Sequence, residues 1–225
     1  MTAPADLVFE NVQLPGLGDG GLALEIPARA TAVVLGPEAS GVDQLGDYAL
    51  ALETPPRGRV LVFGEDIARM SRRNVLAFRR KVGYLPAGDG LLYNLSLADN
   101  VALPLRFGSD LSNRECEGRI RVMLAMLGLT EYAHMRPAQA SDEQRRRAAL
   151  ARALAFDPRL VILERPFGGM TARVAAELLE LARGGLSAEG SRRTVLITGP
   201  YIPELLRPRI EYRYRIAEGQ LQTDD

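Results

Sequence analysis

The sequence contains one cysteine, one histidine and no long hydrophobic run. Because Cys116 is alone, an internal disulfide framework and a multi-cysteine metal site are excluded, and a reducing compartment is expected. His134 has no cysteine, histidine or carboxylate cluster beside it, so a surface or capping role is expected and not a metal site. No apolar stretch approaches the ~18 residues of a membrane span, and the N-terminal residues lack the pattern of a signal peptide. The expected location is therefore the cytoplasm.

Neither sign of charge is in excess, since the 225 residues include 28 Lys and Arg and 28 Asp and Glu. A net charge of zero gives no reason to expect binding to nucleic acid or to an anionic membrane surface. The hydrophobic fraction of 47% and the charged fraction of 25% are typical of a soluble globular protein. The length suits one sizeable domain.

The segment 33–43, with the sequence VVLGPEASGVD, has the layout of a phosphate-binding loop. An apolar strand ends at Gly36, and Gly41 follows at the spacing that such loops require. In a working loop, backbone N–H groups cradle phosphates, a lysine reaches the terminal phosphates, and a serine or threonine hydroxyl holds Mg²⁺. The lysine position is Val42 here and the hydroxyl position is Asp43. The frame of the loop is present, but the side chains that do its chemistry are not.

Apolar runs of strand type alternate with helical patterns along most of the chain, which predicts an α/β fold. Strands are expected at 7–12, 21–27, 33–36, 59–64, 81–85, 160–163, 194–198, 212–216 and 220–222. Helices are expected at 43–52, 71–80, 113–127, 140–154 and 171–182. Residues 86–139 differ in character and are predicted to form a helical insertion within a single domain of residues 1–225.

The start of the helix at 140–154 is well specified by its sequence. Ser141 and Gln144 have the spacing of a capping box. Asp142 and Glu143 lie in the first turn, where the helix dipole favours acidic side chains. The run Arg145–Arg147 is compatible with an anion site, although a solvated helix face is the commoner meaning of such a run.

Over about residues 7–222 the chain resembles the ATP-binding cassette subunits of ABC transporters. The landmarks stand in the family's order: the loop 36–43, RRKVGY at 79–84, the segment 91–105, ALARAL at 149–154, and the segment 158–166. Residues 90–105 also resemble, more loosely, the cassettes of bacterial lipid-asymmetry importers. The resemblance implies a P-loop NTPase-like, RecA-like fold with a mostly parallel sheet, an antiparallel β subdomain and a helical subdomain.

The family's chemical residues are replaced at most of the matched positions. The glutamine that couples nucleotide to permease is Ala87, the Mg²⁺-ordering aspartate is Glu164, the catalytic glutamate is Arg165, and the switch histidine is Gly199. The signature motif Leu-Ser-Gly-Gly corresponds to Ala140, Ser141, Asp142 and Glu143, followed by Gln144. The positions that would line the bound phosphates are Gly36, Pro37, Glu38, Ala39, Ser40, Gly41, Val42 and Asp43.

These replacements oppose nucleotide chemistry for physical reasons. Val42 removes a cation from beside a polyanion, and Glu38 and Asp43 add carboxylates where phosphate and metal should meet. Each like charge within ~4–6 Å costs on the order of one to a few kcal/mol. Arg165 cannot act as a general base, because a guanidinium stays protonated. We therefore expect no catalytic residue, no resident metal and no required cofactor, and weak binding of ATP with Mg²⁺ is left open.

Three functions follow from the resemblance. The first is a pseudo-ATPase, a cassette subunit that docks on an ABC permease or pairs with another cassette without hydrolysing ATP. The second is an ATPase with an unorthodox or composite site. The third is a regulatory scaffold that has left transporters. For the first, the chain is expected at the inner face of the cell membrane, in contact with a permease, with or without a cassette dimer. The permease is expected to dock near Leu91, Leu92, Tyr93 and Leu97.

A loop without its phosphates leaves N–H groups and the positive end of a helix dipole without an anion. Glu38 or Asp43 can supply that anion, and Arg165 can pair with Glu38, Asp43 or Glu164. We therefore expect a contact between Arg165 and a carboxylate that mimics the charges of nucleotide and metal. The alternative is that these side chains point to solvent and have no common role.

Overall fold

The computed structural model describes residues 4–18, 20–184 and 192–224. The strands are β1 (Ala5–Val12), β2 (Leu22–Pro27), β3 (Thr31–Leu35), β4 (Arg59–Val62), β5 (Glu65–Asp66), β6 (Val82–Leu85), β7 (Leu160–Glu164), β8 (Thr194–Gly199), β9 (Tyr212–Ala217) and β10 (Gln220–Thr223). The helices are α1 (Gln44–Ala49), α2 (Arg72–Arg79), α3 (Leu97–Gly108), α4 (Asn113–Met126), α5 (Asp142–Leu154) and α6 (Ala172–Arg183).

The larger sheet has the strand order β10-β9-β3-β8-β7-β6. Strands β9, β3, β8, β7 and β6 run parallel, and β10 pairs antiparallel with β9 at one edge. Every residue of β3, β7 and β8 is buried. Both faces of a parallel sheet are covered, which explains why these strands read as continuous apolar runs.

The smaller sheet is antiparallel, with the order β2-β1-β4-β5. Strand β2 alternates buried and exposed residues, as a strand with one solvated face does. The two sheets and the helices together confirm the predicted fold class, a mostly parallel P-loop NTPase-like sheet with an antiparallel sheet and helices.

The parallel sheet separates two hydrophobic cores. Val33 and Leu35 of β3 point into the core that the helices α3, α4, α5 and α6 cover. Ala32 and Val34 point into the other core, which contains the antiparallel sheet and α1. The alternation of side chains along each strand therefore attaches the helices to one face and the β subdomain to the other.

Between β6 and α5 the chain forms the helices α3 and α4, and both pack against α5. Ser96 caps α3, and Ser112 forms a capping box with Glu115 at the start of α4. Gly128 follows α4 with a φ of +67°, which supports the expected stop of that helix. No helix within the described residues has the length and apolar character needed to cross a membrane.

The helix after the phosphate-type loop is much shorter than expected. The sequence predicted a helix over 43–52, but α1 comprises only Gln44–Ala49. Ala51 has a φ of +51°, and the Leu52 amide donates to the carbonyl of Asp47 at 2.9 Å. The chain therefore leaves the helix in a left-handed turn, which the apolar pattern alone did not reveal.

Candidate functional site

The segment Gly36–Asp43, here called the loop, joins β3 to α1 at the edge where the parallel strands end. The Gly36 amide donates to the carbonyl of Gly199, the last residue of β8, at 3.0 Å. The Arg165 amide, directly after β7, donates to the carbonyl of Thr198 at 2.7 Å. Three neighbouring strands thus bring the loop and the positions 164, 165 and 199 together, at the edge where ligands bind in open α/β sheets.

Two amides of the loop donate to carbonyls within the loop. The Ser40 amide donates to the carbonyl of Pro37 at 2.9 Å, and the Gly41 amide donates to the carbonyl of Glu38 at 3.3 Å. Gly41 has a φ of +76°, in the left-handed region that favours glycine. A phosphate-binding loop offers its N–H groups to an anion. Here part of that set is already satisfied by carbonyl oxygens.

The side chain of Ser40 fills the inside of the loop. Ser40 is 1% exposed, and its Oγ donates to the carbonyl of Pro37 at 2.6 Å. A Cβ atom at Gly36 would lie 2.5 Å from this Oγ, so Gly36 is needed to admit the serine. The space around Gly36 is therefore occupied by protein atoms.

Val42, at the lysine position, belongs to the core. It is 0% exposed and lies in the cluster that contains Leu45 and Ala49 of α1. A charged amine at this position would have to leave the core or be desolvated at a cost of several kcal/mol. The loop therefore has an apolar anchor where a phosphate-binding loop has a cation.

Arg165 pairs with the carboxylates of the loop. Its Nη2 contacts Oδ2 of Asp43, its Nε lies 3.4 Å from Oδ1 of Asp43, and its Nη2 lies 3.6 Å from Oε1 of Glu38. The hydrogen bond to Asp43 raises the pKa of Arg165, and the charges of Asp43 and Glu38 act in the same direction. The expected contact between Arg165 and a carboxylate is confirmed.

The backbone around Arg165 is shaped for this contact. Arg165 has a φ of +43°, in the left-handed region that a non-glycine residue adopts at some cost. A Cβ atom at Gly199 would lie 3.5 Å from Cα and Cγ of Arg165. Gly199, at the position of the family's switch histidine, therefore lies against the aliphatic part of the Arg165 side chain.

Glu164 is a buried carboxyl group that is 4% exposed. Its Oε2 accepts from the Ala87 amide at 3.3 Å, and a Cβ atom at Gly46 would lie 2.3 Å from its Oε1. Burial raises the pKa of Glu164 to about 7, and the charges of Asp47 and Asp43 add to the rise. Glu164 thus connects the edge of the sheet to the residue at the coupling-glutamine position.

We predict that Glu164→Gln removes part of the pH dependence of stability. The folded protein retains the Glu164 proton up to about pH 7, whereas the unfolded chain releases it near the ordinary glutamate pKa of 4.5. The free energy of unfolding that this group contributes is therefore greatest below pH ~4.5 and falls as the pH rises to ~7. Melting temperatures between pH 5 and pH 8 should decline less for Glu164→Gln than for wild type. Glu65→Gln on the exposed strand β5 is the control, and an unchanged slope in Glu164→Gln would contradict the prediction.

The signature positions cap a helix. Ser141 Oγ accepts from the Gln144 amide, and the Gln144 side chain accepts from the Ser141 amide at 2.8 Å, as the capping-box spacing predicted. Asp142 pairs with Arg145 and has an 84% exposed side chain, while Glu143 pairs with Arg147 at 2.8 Å. The acidic pair therefore lies on the exposed first turn of α5.

Two of the residues expected at the docking surface are buried. Leu91 is 6% exposed and Leu97 is 0% exposed, so neither is available to a partner in this conformation. Both belong to the core under the helices, which the apolar pattern could not distinguish from an exposed face. Leu92 and Tyr93 are 48% and 53% exposed, and the expected surface is reduced to these two residues.

Sequence reasoning missed Asn100, which holds this surface. Asn100 is 0% exposed, and its Oδ1 accepts from the Leu92 amide at 2.7 Å. Its Nδ2 donates to the carbonyls of Leu92 at 3.0 Å and Ser96 at 2.9 Å. An asparagine among the apolar residues of α3 was the signal that could have indicated a buried bridge.

The protein's own side chains occupy the loop and pair with its charges. The inside of the loop contains Ser40, the lysine position is buried, and two carboxylates already hold the one cation that faces the loop from β7. Among the described residues, no group of three or more His, Cys, Asp or Glu side chains is arranged to hold a metal ion.

Comparisons with known proteins agree with this architecture. The family described as ABC transporter matches residues 20–168. An uncharacterized ABC transporter ATP-binding protein of Thermotoga maritima is 34% identical, over 72% of this chain and 70% of its own length. The sulfate/thiosulfate import ATP-binding protein CysA of Nocardia farcinica is 34% identical over 79% of this chain, and the match spans 51% of CysA.

A solved structure gives the same fold. It is a dimeric structure of the ATP-binding cassette MJ0796 bound to ADP and Pi, with a TM-score of 0.82 to this chain. The sequences are 23% identical, and the superposition covers 96% of this chain and 98% of that one. At this identity the similarity shows the fold alone.

Proposed function

This chain belongs to the ABC transporter family as an ATP-binding cassette, and from this premise we propose that it is a cassette subunit that docks on a permease without hydrolysing ATP. Such a subunit works at the inner face of the cell membrane, where the permease holds it. It pairs there with a second cassette, as the cassette MJ0796 does in its dimeric structure. No cofactor is required for this role.

The ion pair between Arg165 and Asp43 carries the proposal. It places a fixed anion and a fixed cation at the loop, where a working cassette needs Lys, Mg²⁺ and the phosphates of ATP. A nucleotide would have to displace Arg165 and bring further negative charge beside Glu38 and Asp43. The protein's own side chains thus compete with the ligand for the same position.

The remaining positions supply no substitute chemistry. Arg165 cannot accept a proton from water, and Gly199 has no side chain to stabilise a developing charge. Ala87 has no polar side chain, and only its backbone forms hydrogen bonds, with the amide donating to Glu164 and the carbonyl accepting from Arg146. Positioning and charge stabilisation account for nearly all catalysis of phosphoryl transfer, so their joint loss removes turnover.

We predict that the purified chain shows no Mg²⁺-dependent ATP hydrolysis above the buffer background. The measurement is phosphate release from ATP with Mg²⁺, with EDTA as the blank and an active cassette as the positive control. Glu164→Gln is the diagnostic variant, because Glu164 is the one carboxylate retained at the end of β7. Turnover by wild type that Glu164→Gln abolishes would establish a working active site and reject the proposal in favour of an unorthodox ATPase.

The docking surface consists of Leu92 and Tyr93, two large apolar side chains exposed side by side. Exposed apolar residues of this size on a helical subdomain suit a short apolar helix of a permease. Tyr93 is also anchored, since its hydroxyl lies 3.3 Å from Oδ2 of Asp89. A fixed aromatic side chain loses little conformational entropy on binding, which favours a contact residue.

We predict that Leu92→Asp and Tyr93→Asp each lower co-purification of the permease at least ~10-fold, because a desolvated charge at the contact costs more than ~1.4 kcal/mol. The readout is the yield, after pull-down from detergent-solubilised membranes, of the permease that co-purifies with wild type. Leu76→Asp is the matched control, since Leu76 is 59% exposed on α2. An undiminished yield with Leu92→Asp and Tyr93→Asp would contradict docking at this surface and favour the regulatory scaffold outside transporters.

A further inference from the structure

The segment 86–90, here called the connecting segment, leads from β6 to the exposed pair Leu92 and Tyr93. Each of its five carbonyl oxygens accepts a hydrogen bond from an arginine of α5. Arg146 Nη1 donates to residues 86, 87 and 88 at 3.1, 3.1 and 3.2 Å. Arg152 donates to residues 89 and 90 at 3.2 and 2.7 Å.

The side chain of Asp89 adds a second set of restraints. Its Oδ2 accepts from Arg145 Nε at 3.0 Å, and its Oδ1 accepts from the Leu91 amide at 2.9 Å. The hydroxyl of Tyr93 lies 3.3 Å from the same carboxylate. The connecting segment is therefore tied to α5 through its backbone and through the one charged side chain it contains.

These contacts are energetically unusual for guanidinium groups. Burial lowers the pKa of Arg146, although the charges of Asp89 and Asp142 oppose the change. Burial also lowers the pKa of Arg152. Among the salt bridges of the described residues, none includes Arg146 or Arg152, so carbonyl dipoles are their direct hydrogen-bond partners. Desolvating a cation without a carboxylate is costly, and only the planar fork of arginine reaches several consecutive carbonyls at once.

The connecting segment is prone to motion without such contacts. It contains Gly88 and Gly90, and Gly90 has a φ of +61°. Glycine loses more conformational entropy on ordering than other residues, so this segment is costly to order. The side chains of Arg146 and Arg152 therefore restrain the backbone of all five residues of the connecting segment, which precedes the docking surface.

We propose that Arg146 and Arg152 are positioning residues that hold the connecting segment, and with it Leu92 and Tyr93, in the conformation that binds the permease without any nucleotide. The inference rests on the proposed function in two respects, the assignment of Leu92 and Tyr93 as the docking surface and the absence of nucleotide from the loop. The loop contains Arg165 and its carboxylates in place of nucleotide, so the docking conformation needs another source of order. The arginines of α5 supply it.

Hydrogen–deuterium exchange of the whole isolated chain tests the restraint without a partner. In wild type, the amides of Ala87, Leu91 and Leu92 should exchange slowly, and ATP with Mg²⁺ should leave their rates unchanged. Arg146→Gln and Arg152→Gln should each raise these rates by ~10-fold or more, since a factor of ten corresponds to the loss of about one strong hydrogen bond. Amides within the strand Leu160–Glu164 should keep their wild-type rates.

Arg147→Gln is the matched control, because Arg147 lies on the same helix but contacts Glu143 and Glu177. It should leave exchange at 87, 91 and 92 unchanged. Arg146→Lys keeps the charge without the fork and should give exchange between wild type and Arg146→Gln. This variant also serves if Arg146→Gln fails to fold. The yield of co-purified permease, measured well below each melting temperature, should fall for Arg146→Gln and recover in part for Arg146→Lys.

Fast exchange in wild type, or rates for Arg146→Lys equal to wild type, would overturn the inference. So would a wild-type rate that changes with ATP and Mg²⁺, since the segment would then respond to nucleotide. The exchange measurements and the co-purification measurements test the restraint and the docking surface separately. Unchanged permease yield with Leu92→Asp rejects the docking surface, whereas insensitive exchange rejects the restraint and leaves docking intact.

Discussion

Asn100→Ala should lower the free energy of unfolding by about 2–4 kcal/mol, because it removes three hydrogen bonds worth ~1 kcal/mol each and leaves buried groups without partners. The amide side chain is 0% exposed and connects α3 to the backbone of Leu92 and Ser96. The truncation also leaves a small cavity at a fully buried position of α3. The expected loss is large for a substitution that changes no charge.

The measurement is urea unfolding of Asn100→Ala beside Asn94→Ala. Asn94 is exposed and precedes the same helix, so its truncation should stay within ~0.5 kcal/mol of wild type. Asn100→Asp keeps the acceptor for the Leu92 amide but loses both donated bonds, and it should not restore stability. Equal midpoints for Asn100→Ala and Asn94→Ala would contradict the buried bridge.

Arg165→Ala should lower the free energy of unfolding by about 1–3 kcal/mol, more than the loss of a surface ion pair. The side chains of Arg165 and Asp43 are 31% and 26% exposed, so the pair is partly desolvated. Without Arg165, the carboxylate of Asp43 faces Glu38 and the buried Glu164 with no cation beside it. The unpaired carboxylate of Asp43 accounts for most of the expected loss in the free energy of unfolding.

A double-mutant cycle with Asp43→Asn separates the pair from the packing of its members. The double variant Asp43→Asn with Arg165→Ala should be more stable than the sum of the single changes predicts, by ~1 kcal/mol. Arg73→Ala, exposed on α2, is the control for removing an arginine. Additive effects, or melting of Arg165→Ala like that of Arg73→Ala, would show that the side chains at the loop have no common role.

The filled loop and the arginine-held connecting segment are two parts of one arrangement. In both, arginines donate to acceptors of the protein itself, the carboxylates of Glu38 and Asp43 at the loop and the backbone carbonyls of the connecting segment. Glu164 lies between them, because it borders α1 at Gly46 and accepts from Ala87 at the start of the connecting segment. The site and the docking surface are therefore connected by protein contacts alone.

The sequence alone determined most of the secondary structure and the fold class. Strands such as Leu160–Glu164 are apolar throughout because both faces of a parallel sheet are buried, and that pattern is visible in the chain itself. The capping box at Ser141 is local, so a few neighbouring residues were enough to predict it. The contact of Arg165 with a carboxylate was also predicted, because the family resemblance places the end of this strand beside the loop that contains Glu38 and Asp43.

Only the tertiary structure decided which residues are exposed and which hold the others. Leu91 and Leu97 resemble Leu92 and Tyr93 in the sequence, yet they lie in the core, because burial depends on elements distant along the chain. The length of α1 was set by a left-handed turn at Ala51 and not by helix propensity. Arg146 lies about sixty residues from the carbonyls that it contacts. From the sequence, a run of arginines indicates a solvated helix face. Only the packing of α5 against the connecting segment brings these donors to their carbonyl acceptors, and residues so far apart along the chain share no local sequence pattern.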